Sequence, residues 1–107
     1  MNKFEAVILY SPDLVVNTLK NQEDSFNNLL SEMGGSIIDH EDWGLRDLSY
    51  NIKKYKKAFY KFYQIEIEGF KIQEIKKILN QNEKIMRNLF IKTKKHEKLP
   101  TKLISEN

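Results

Sequence analysis

The chain has 107 residues, of which 40% are hydrophobic and 31% are charged, and its formal net charge at pH 7 is +3. This length predicts a single domain with one modest core. No apolar run reaches the roughly 20 residues of a membrane-spanning helix, and the opening Met-Asn-Lys-Phe-Glu predicts no secretory signal. Cysteine is absent, which excludes disulfides, thiolate catalysis and cysteine zinc sites. Together these features favour a cytosolic protein.

The charges are distributed unevenly along the chain. Residues 1–42 carry two basic and eight acidic side chains, a net charge of −6, whereas the remainder carries sixteen basic and seven acidic ones, a net charge of +9. This asymmetry predicts that one region contacts a polyanion while another stays solvated or contacts a cationic partner. The alternative is that genome composition inflates the lysine count of a chain rich in Lys, Asn and Ile.

The first half of the chain predicts a strand, a helix and a second strand. Residues 3–10 carry β-branched and aromatic side chains on both faces, which favours a central strand before a Ser-Pro-Asp turn. From about residue 12 to residue 33 the apolar side chains recur at helical spacing, and Gly34-Gly35 supplies a stop. Residues 36–53 then alternate as a strand, with a bulge expected near Gly44.

The second half predicts another strand, a helix and a last strand. Residues 53–57, Lys-Lys-Tyr-Lys-Lys, form a basic tip that leads to a strand at residues 59–67, so the two strands form a hairpin. A helix is predicted at about residues 71–80, with its isoleucines and leucine turned inward, and the last strand at residues 85–93.

The order β-α-β-β-α-β predicts an α+β fold of the ferredoxin-like type. In this fold a four-stranded antiparallel sheet carries both helices on one face. Residues 1–95 would form that single domain. Residues 96–107 are polar, contain Pro100 and lack periodicity, so we expect a flexible tail there.

Two helices can cover one face of such a sheet and leave the other open. The open face is predicted to carry the apolar and aromatic side chains of Val7, Leu9, Tyr60, Phe62, Leu89 and Ile91. An uncovered apolar patch usually marks an interaction surface, so these six residues are candidate contacts of a partner protein. The alternative is that Lys61, Arg87 or the tail shields this face.

The sequence offers no catalytic or metal-binding set. His40 and His96 have no Ser or Cys nucleophile at a recognisable elbow and no metal-ligand spacing around them. Glu41 and Asp42 are neighbours in a strand and would point to opposite faces, which is poor geometry for acid–base catalysis. A phosphate-binding glycine loop is also missing. We therefore expect no enzyme, metal or cofactor.

Basic side chains are interleaved with aromatic ones in the second half of the chain. Residues 46–61 hold six basic groups among three tyrosines and a phenylalanine, and the last strand and the tail add more. Cations neutralise phosphates, and rings can pack on ribose or an exposed base. The candidates for RNA contact from this pattern are Arg46, Lys53, Lys54, Lys56, Lys57, Arg87, Lys92 and Lys94. The alternative is an ordinary solvated face.

One stretch of the hairpin carries a family signature. The pattern Gly44-x-Arg46-Asp47-Leu48-Ser49-Tyr50-x-Ile52-Lys53 resembles that of bacterial small-subunit ribosomal protein six. The similarity extends along nearly the whole chain, to Phe4-Glu5, the turn Ser11-Pro12-Asp13-Leu14, the Gly34-Gly35 break and the closing strand at residues 87–92.

The resemblance implies a structural protein of the small ribosomal subunit. Members of the family pair with ribosomal protein eighteen and bind the central domain of the small-subunit rRNA. By position, Lys3, Arg46, Lys53 and Arg87 match basic family positions, so Lys3 joins the RNA-binding candidates. The family usually has proline where Asn51 stands, and often a basic residue where Met86 or Asn88 stands. RNA contact is therefore expected to rely more on the lysines of residues 54–57.

A different class of function is also compatible with the fold. A self-associating ferredoxin-like regulatory module would bind a small ligand in a glycine-rich or convergently polar pocket. The sequence indicates no such pocket.

Overall fold

The computed structural model of the protein describes residues 1–98. The elements are β1 (Asn2–Tyr10), α1 (Val16–Glu32), β2 (Ser36–Ile52), β3 (Tyr55–Ile67), a 3-10 turn (Gly69–Lys71), α2 (Ile72–Asn80) and β4 (Ile85–Thr93). The strands form one sheet in the order β2-β3-β1-β4, and every neighbouring pair is antiparallel. The predicted element order and the ferredoxin-like sheet are confirmed.

The main core lies between one face of the sheet and the two helices. Helix α1 contributes Phe26 and Leu30, and α2 contributes Ile75 and Leu79, to one cluster with alternate residues of β1 and β3. Because both helices use the same face, the opposite face depends on other parts of the chain for cover.

Two tyrosines at the centre of this core share a hydrogen bond. The hydroxyl oxygens of Tyr10 and Tyr63 lie 3.2 Å apart. Tyr10 is 0% exposed and Tyr63 is 2% exposed. Burial raises the pKa of Tyr10 to about 12 and raises the pKa of Tyr63 as well. Both hydroxyls therefore stay protonated, and their mutual bond satisfies two polar groups that burial would otherwise leave without a partner.

Helix α1 begins later than predicted, at Val16 instead of near residue 12. The Leu14 N–H donates to the Ser11 carbonyl at 3.3 Å, and the Ser11 hydroxyl bonds the Asp13 carboxylate. These bonds close a turn that competes with the helix-favouring proline between them. The predicted helix stop is confirmed, because Gly34 has a φ of +79° just after α1.

The hairpin between β2 and β3 is longer than predicted, with β3 beginning at Tyr55. The expected bulge is present: the register shifts between Asp42 and Gly44, and Gly44 has a φ of +76°. Lys53 and Lys54 make the turn, between the paired residues Ile52 and Tyr55, with φ angles of 50° and 73°. A tight two-residue hairpin turn favours this left-handed geometry, which glycine or asparagine adopts most readily.

Alanine substitutions should distinguish the buried side of the helices from the exposed side. Leu30 and Ile75 are 0% exposed, so L30A and I75A should each lower the free energy of unfolding by about 2–5 kcal/mol, because apolar contacts disappear and a cavity forms. The control is I78A on α2, because Ile78 is 38% exposed and should cost about 1 kcal/mol or less. Urea unfolding measures all three. A decrease below about 0.5 kcal/mol at Leu30 or Ile75 would contradict the assigned core.

Candidate RNA interface and partner surfaces

The hairpin tip bends over the sheet face that the helices leave uncovered. Leu48, Ile52 and Tyr55 pack there against the buried side chains of Leu9, Ala58 and Met86. The Tyr55 hydroxyl donates to Asp13 Oδ2 at 2.8 Å, and Arg87 Nη1 donates to the Tyr50 hydroxyl at 2.6 Å. Hydrogen bonds from Ser11 and Tyr55 lower the pKa of the Asp13 carboxyl. These contacts hold the tip against the domain.

The four lysines of the tip are all exposed. Lys57 Nζ lies 3.7 Å from Asp47 Oδ1, but the two side chains are 56% and 84% exposed, so the pair is weak. Lys53 and Lys54 occupy the left-handed turn, which costs an L-residue roughly 1–2 kcal/mol. The tip therefore presents four solvated cations on a turn that other residues would form more easily.

Three other candidates for RNA contact are already held by neighbours. Lys3 Nζ donates to Glu66 Oε2 at 2.8 Å, and this bond lowers the pKa of the Glu66 carboxyl. Arg46 Nε donates to the Trp43 carbonyl at 2.8 Å, with the guanidinium 5.9 Å from the indole centroid. The guanidinium of Arg87 lies 5.4 Å from the Tyr50 ring centroid.

The sheet register divides the nine RNA-binding candidates between two ends of the molecule. Arg46 pairs with Ala58, and Arg87 pairs with Leu9, which places both near the hairpin tip. Lys3 pairs with Thr93 at the opposite end, where the exposed Lys92 and Lys94 also lie. The structure thus brings the tip lysines together with Arg46 and Arg87, and separates them from Lys3, Lys92 and Lys94.

The six apolar candidates share the uncovered face, as the alternation predicts. Val7 pairs with both Phe62 and Leu89, and Leu9 pairs with Tyr60, so these side chains point the same way. Their exposure differs. Leu89 and Ile91 are 53% and 52% exposed, whereas Val7 and Tyr60 are half-buried.

The prediction that this apolar patch is uncovered is wrong for Leu9 and Phe62. They are 6% and 2% exposed. The bulge before Gly44 brings Trp43 onto this face, where its ring stacks on Phe62 with centroids 5.3 Å apart and planes 7° apart. The hairpin tip covers Leu9. Lys61, a candidate for this shielding, instead faces the helices and contacts Glu23.

The segment after β4 also contacts the sheet. His96 Nε2 lies 3.2 Å from the Phe4 carbonyl oxygen, and Gln64 Nε2 donates to the Glu97 carbonyl at 2.6 Å. The predicted tail therefore begins with residues bonded to the domain. Residues 99–107 of that predicted tail lie outside the described residues.

A groove that the sequence did not indicate opens on the helix side, between α1 and the edge of the sheet. Its cavity volume is about 830 Å³. The lining comprises Leu14, Val16, Leu19, Lys20, Glu23, Asp24 and Asn27 on one side, and Ile37, His40, Asp42, Gly44, Phe59, Lys61 and Tyr63 on the other. Its walls come from elements that are separate in sequence, so periodicity along the chain does not reveal the groove. The one feature of the sequence that relates to it is the negative net charge of the first 42 residues.

A buried cation lies at the base of the groove. Lys61 is 5% exposed, and its Nζ lies 3.4 Å from Glu23 Oε1 and 2.7 Å from Asp42 Oδ2. Burial would raise the pKa of Asp42, but the Lys61 ammonium and the Gly44 N–H hold that pKa below its ordinary value. Two carboxylates therefore neutralise Lys61, which removes it from the cations available to RNA.

Within residues 1–98, no cluster of three or more His, Cys, Asp or Glu side chains could hold a metal ion. The described helices also include none that is long and apolar enough to cross a membrane.

Comparison with known proteins identifies the family. The model of the family "Ribosomal protein S6" matches residues 3–92. The chain belongs to the ribosomal protein S6 family. It is 34% identical over 92 residues to small ribosomal subunit protein bS6 of Heliobacterium modesticaldum, covering 86% of this chain and 96% of that one. It is 31% identical over 101 residues to the protein of the same name from Ruegeria pomeroyi, covering 94% and 86%.

The fold comparison agrees with this assignment. The crystal structure of 30S ribosomal protein S6 from Thermotoga maritima superposes with a TM-score of 0.80 at 20% identity, covering 86% of this chain and 87% of that one. As a member of the ribosomal protein S6 family, the chain is a constituent of the small ribosomal subunit in the cytoplasm and not an enzyme. The predicted family and fold are confirmed.

Two substitutions on the uncovered face should behave differently. Phe62 is 2% exposed and Leu89 is 53% exposed. F62E would bury a carboxylate beneath Trp43 and should cost several kcal/mol of unfolding free energy. L89E leaves its charge in water and should change stability by about 0.5 kcal/mol or less. Thermal unfolding followed by circular dichroism compares them, and equal melting temperatures would contradict the cover that Trp43 provides.

Proposed function

We propose that this member of the ribosomal protein S6 family binds the central domain of the small-subunit rRNA together with ribosomal protein eighteen. The observation that carries the RNA part is the hairpin tip, a turn that the bonds of Tyr50 and Tyr55 hold against the domain and that carries four exposed lysines. Because the backbone of the turn is already ordered, its lysines can bind phosphates without the entropy cost of ordering a loop.

The tip is the main proposed contact, and Arg46 and Arg87 extend it. Both arginines are oriented by aromatic neighbours, which leaves fewer rotamers to lose on binding. Lys3, Lys92 and Lys94 form a second basic group at the other end of the sheet. Since the molecule is 36 Å in its longest dimension, two separated basic groups suit an RNA that folds around the protein, as a junction of helices does.

The proposed pairing with ribosomal protein eighteen is supported by exposed apolar surface. On the uncovered sheet face, Leu89 and Ile91 are both more than half exposed, with Val7 and Tyr60 beside them. Burying such side chains against a partner favours association. Leu9 and Phe62 were predicted to join that contact. They are already buried, so they pack beneath the exposed side chains instead of contacting a partner themselves.

Neutralising the tip should weaken RNA binding, because fewer phosphates would face a cation. The variant with Lys53, Lys54, Lys56 and Lys57 changed to alanine should bind a central-domain rRNA fragment more weakly. The slope of log affinity against log salt concentration should become shallower by roughly 0.7–0.9 for each phosphate that is no longer neutralised. Filter binding across a salt series, with the partner protein present, measures both.

The matched control removes four lysines away from the tip: Lys20 on α1, Lys76 and Lys77 on α2, and Lys84 between α2 and β4. It changes the net charge equally, so any effect of total charge appears in both variants. If affinity and slope decrease to the same extent in the two variants, the tip is not the RNA-binding element.

A further inference from the structure

We infer that the groove between α1 and the sheet edge is a binding site for a small organic cation, in which a protonated amine is attached to an apolar body. This inference goes beyond the proposed function, because the site requires neither RNA nor a partner protein. The groove lies on the helix side of the sheet, whereas the hairpin tip bends over the opposite face.

The groove has the size and the apolar walls of a small-molecule site. Its volume of about 830 Å³ falls within the roughly 300–1,000 Å³ of typical ligand pockets. Val16, in the first turn of α1, lines it and is 82% exposed. Half-buried apolar side chains line both sides: Leu14, Leu19, Ile37 and Phe59. Because these side chains keep some exposed surface, an apolar body between them would remove more of it from water.

The base of the groove holds charged groups that are costly to bury. Lys61 is 5% exposed, and its Nζ lies 3.4 Å from Glu23 Oε1 and 2.7 Å from Asp42 Oδ2. Apolar side chains of similar volume are often at least as stabilising as such a buried set of ions. The position of these ions at the base of an open cavity therefore indicates a role in binding.

The balance of charge in the groove favours a cation over an anion. Its lining holds the carboxylates of Glu23, Asp24 and Asp42 against the ammonium groups of Lys20 and Lys61, a net charge of −1 when its one histidine is neutral. An anionic ligand could reach Lys61 only by competing with two carboxylates that already contact it. The side chain of Asp42 is 59% exposed, so its carboxylate is accessible to a cation from the groove.

The lining suits an organic cation better than a metal ion. Among the side chains of residues 1–98, no three of His, Cys, Asp or Glu converge closely enough to hold a metal. A metal ion would also gain nothing from the apolar walls. An amine on a hydrocarbon body uses both parts of the lining, because its ammonium group can donate to the carboxylates while its body packs against the apolar side chains.

Three probes that share one apolar body and differ in charge test the inference. At pH 7 phenethylamine is a cation, hydrocinnamate is an anion, and free phenylalanine carries both charges. Each is titrated into the 15N-labelled full chain, and the amide chemical shifts report both the site and the affinity. Phenethylamine should shift the amides of the groove lining and bind about tenfold more tightly than hydrocinnamate, with phenylalanine between them.

Two variants alter the groove without changing the probes. Glu23→Gln makes the net charge of the lining zero and should weaken the binding of phenethylamine about three- to tenfold, without weakening that of hydrocinnamate. Val16→Ser removes apolar surface and should weaken the binding of all three probes about threefold. Circular dichroism confirms that each variant is folded before titration.

Two matched controls lie outside the groove lining. Glu32→Gln removes the same charge at the other end of α1, and Val15→Ser removes the same apolar side chain one residue before the helix. Both should bind phenethylamine within about twofold of the original chain. If Glu23→Gln fails to fold, Asp24→Asn at the exposed rim makes the same change in net charge and takes its place.

Each outcome supports or overturns the inference. Preferential binding of phenethylamine in the groove, weakened by the two groove variants and not by the controls, supports it. The inference is overturned if no probe binds, if hydrocinnamate binds as tightly as phenethylamine, or if the shifted amides lie outside the groove. Tighter binding of phenylalanine than of phenethylamine would also overturn it, because the ligand would then need a carboxylate. Equal affinity of the original chain and both groove variants would contradict the assigned site.

Discussion

The stacking of Trp43 on Phe62 follows from the main constraint on this fold: the sheet has two apolar faces and the helices cover one. Burial of Phe62 and Leu9 on the second face requires cover from the chain itself. The hairpin supplies it in two places, through the bulge that carries Trp43 and through the tip. The same bend that removes apolar surface from water also fixes where the tip lysines lie. The bend of the hairpin therefore both covers the second sheet face and sets the position of the basic tip.

The two ends of the chain differ in charge. The acidic first part includes α1 and the beginning of β2, which border the groove, whereas the basic remainder includes the hairpin tip, α2 and β4. Lys61 lies in this remainder but is buried on the helix side between Glu23 and Asp42. Its neutralisation by two carboxylates leaves no uncompensated cation buried there. The tip lysines, by contrast, are exposed, so their charge is available to an anionic partner.

Local patterns in the sequence predicted most of the fold, because the strand and helix periods and the glycine stop depend on neighbouring residues. The start of α1 was missed because the turn bonds of Ser11 outweigh the helix preference of Pro12. The burial of Phe62 was missed because it depends on how the bulge places Trp43, which is set by pairing with β3 and not by alternation. The groove was missed for a related reason, since its walls meet through tertiary structure.

The central claim is that the hairpin tip presents its lysines to RNA from the position that it takes in covering the second sheet face. Titrating the 15N-labelled protein with a central-domain rRNA fragment, and recording amide chemical shifts, tests it most directly. The account predicts that RNA shifts the amides of residues 53–57 and Arg87 and leaves those of Val16 and Asp24, on the helix side, in place. If the amides of Val16 and Asp24 shift while those of residues 53–57 do not, the claim is contradicted.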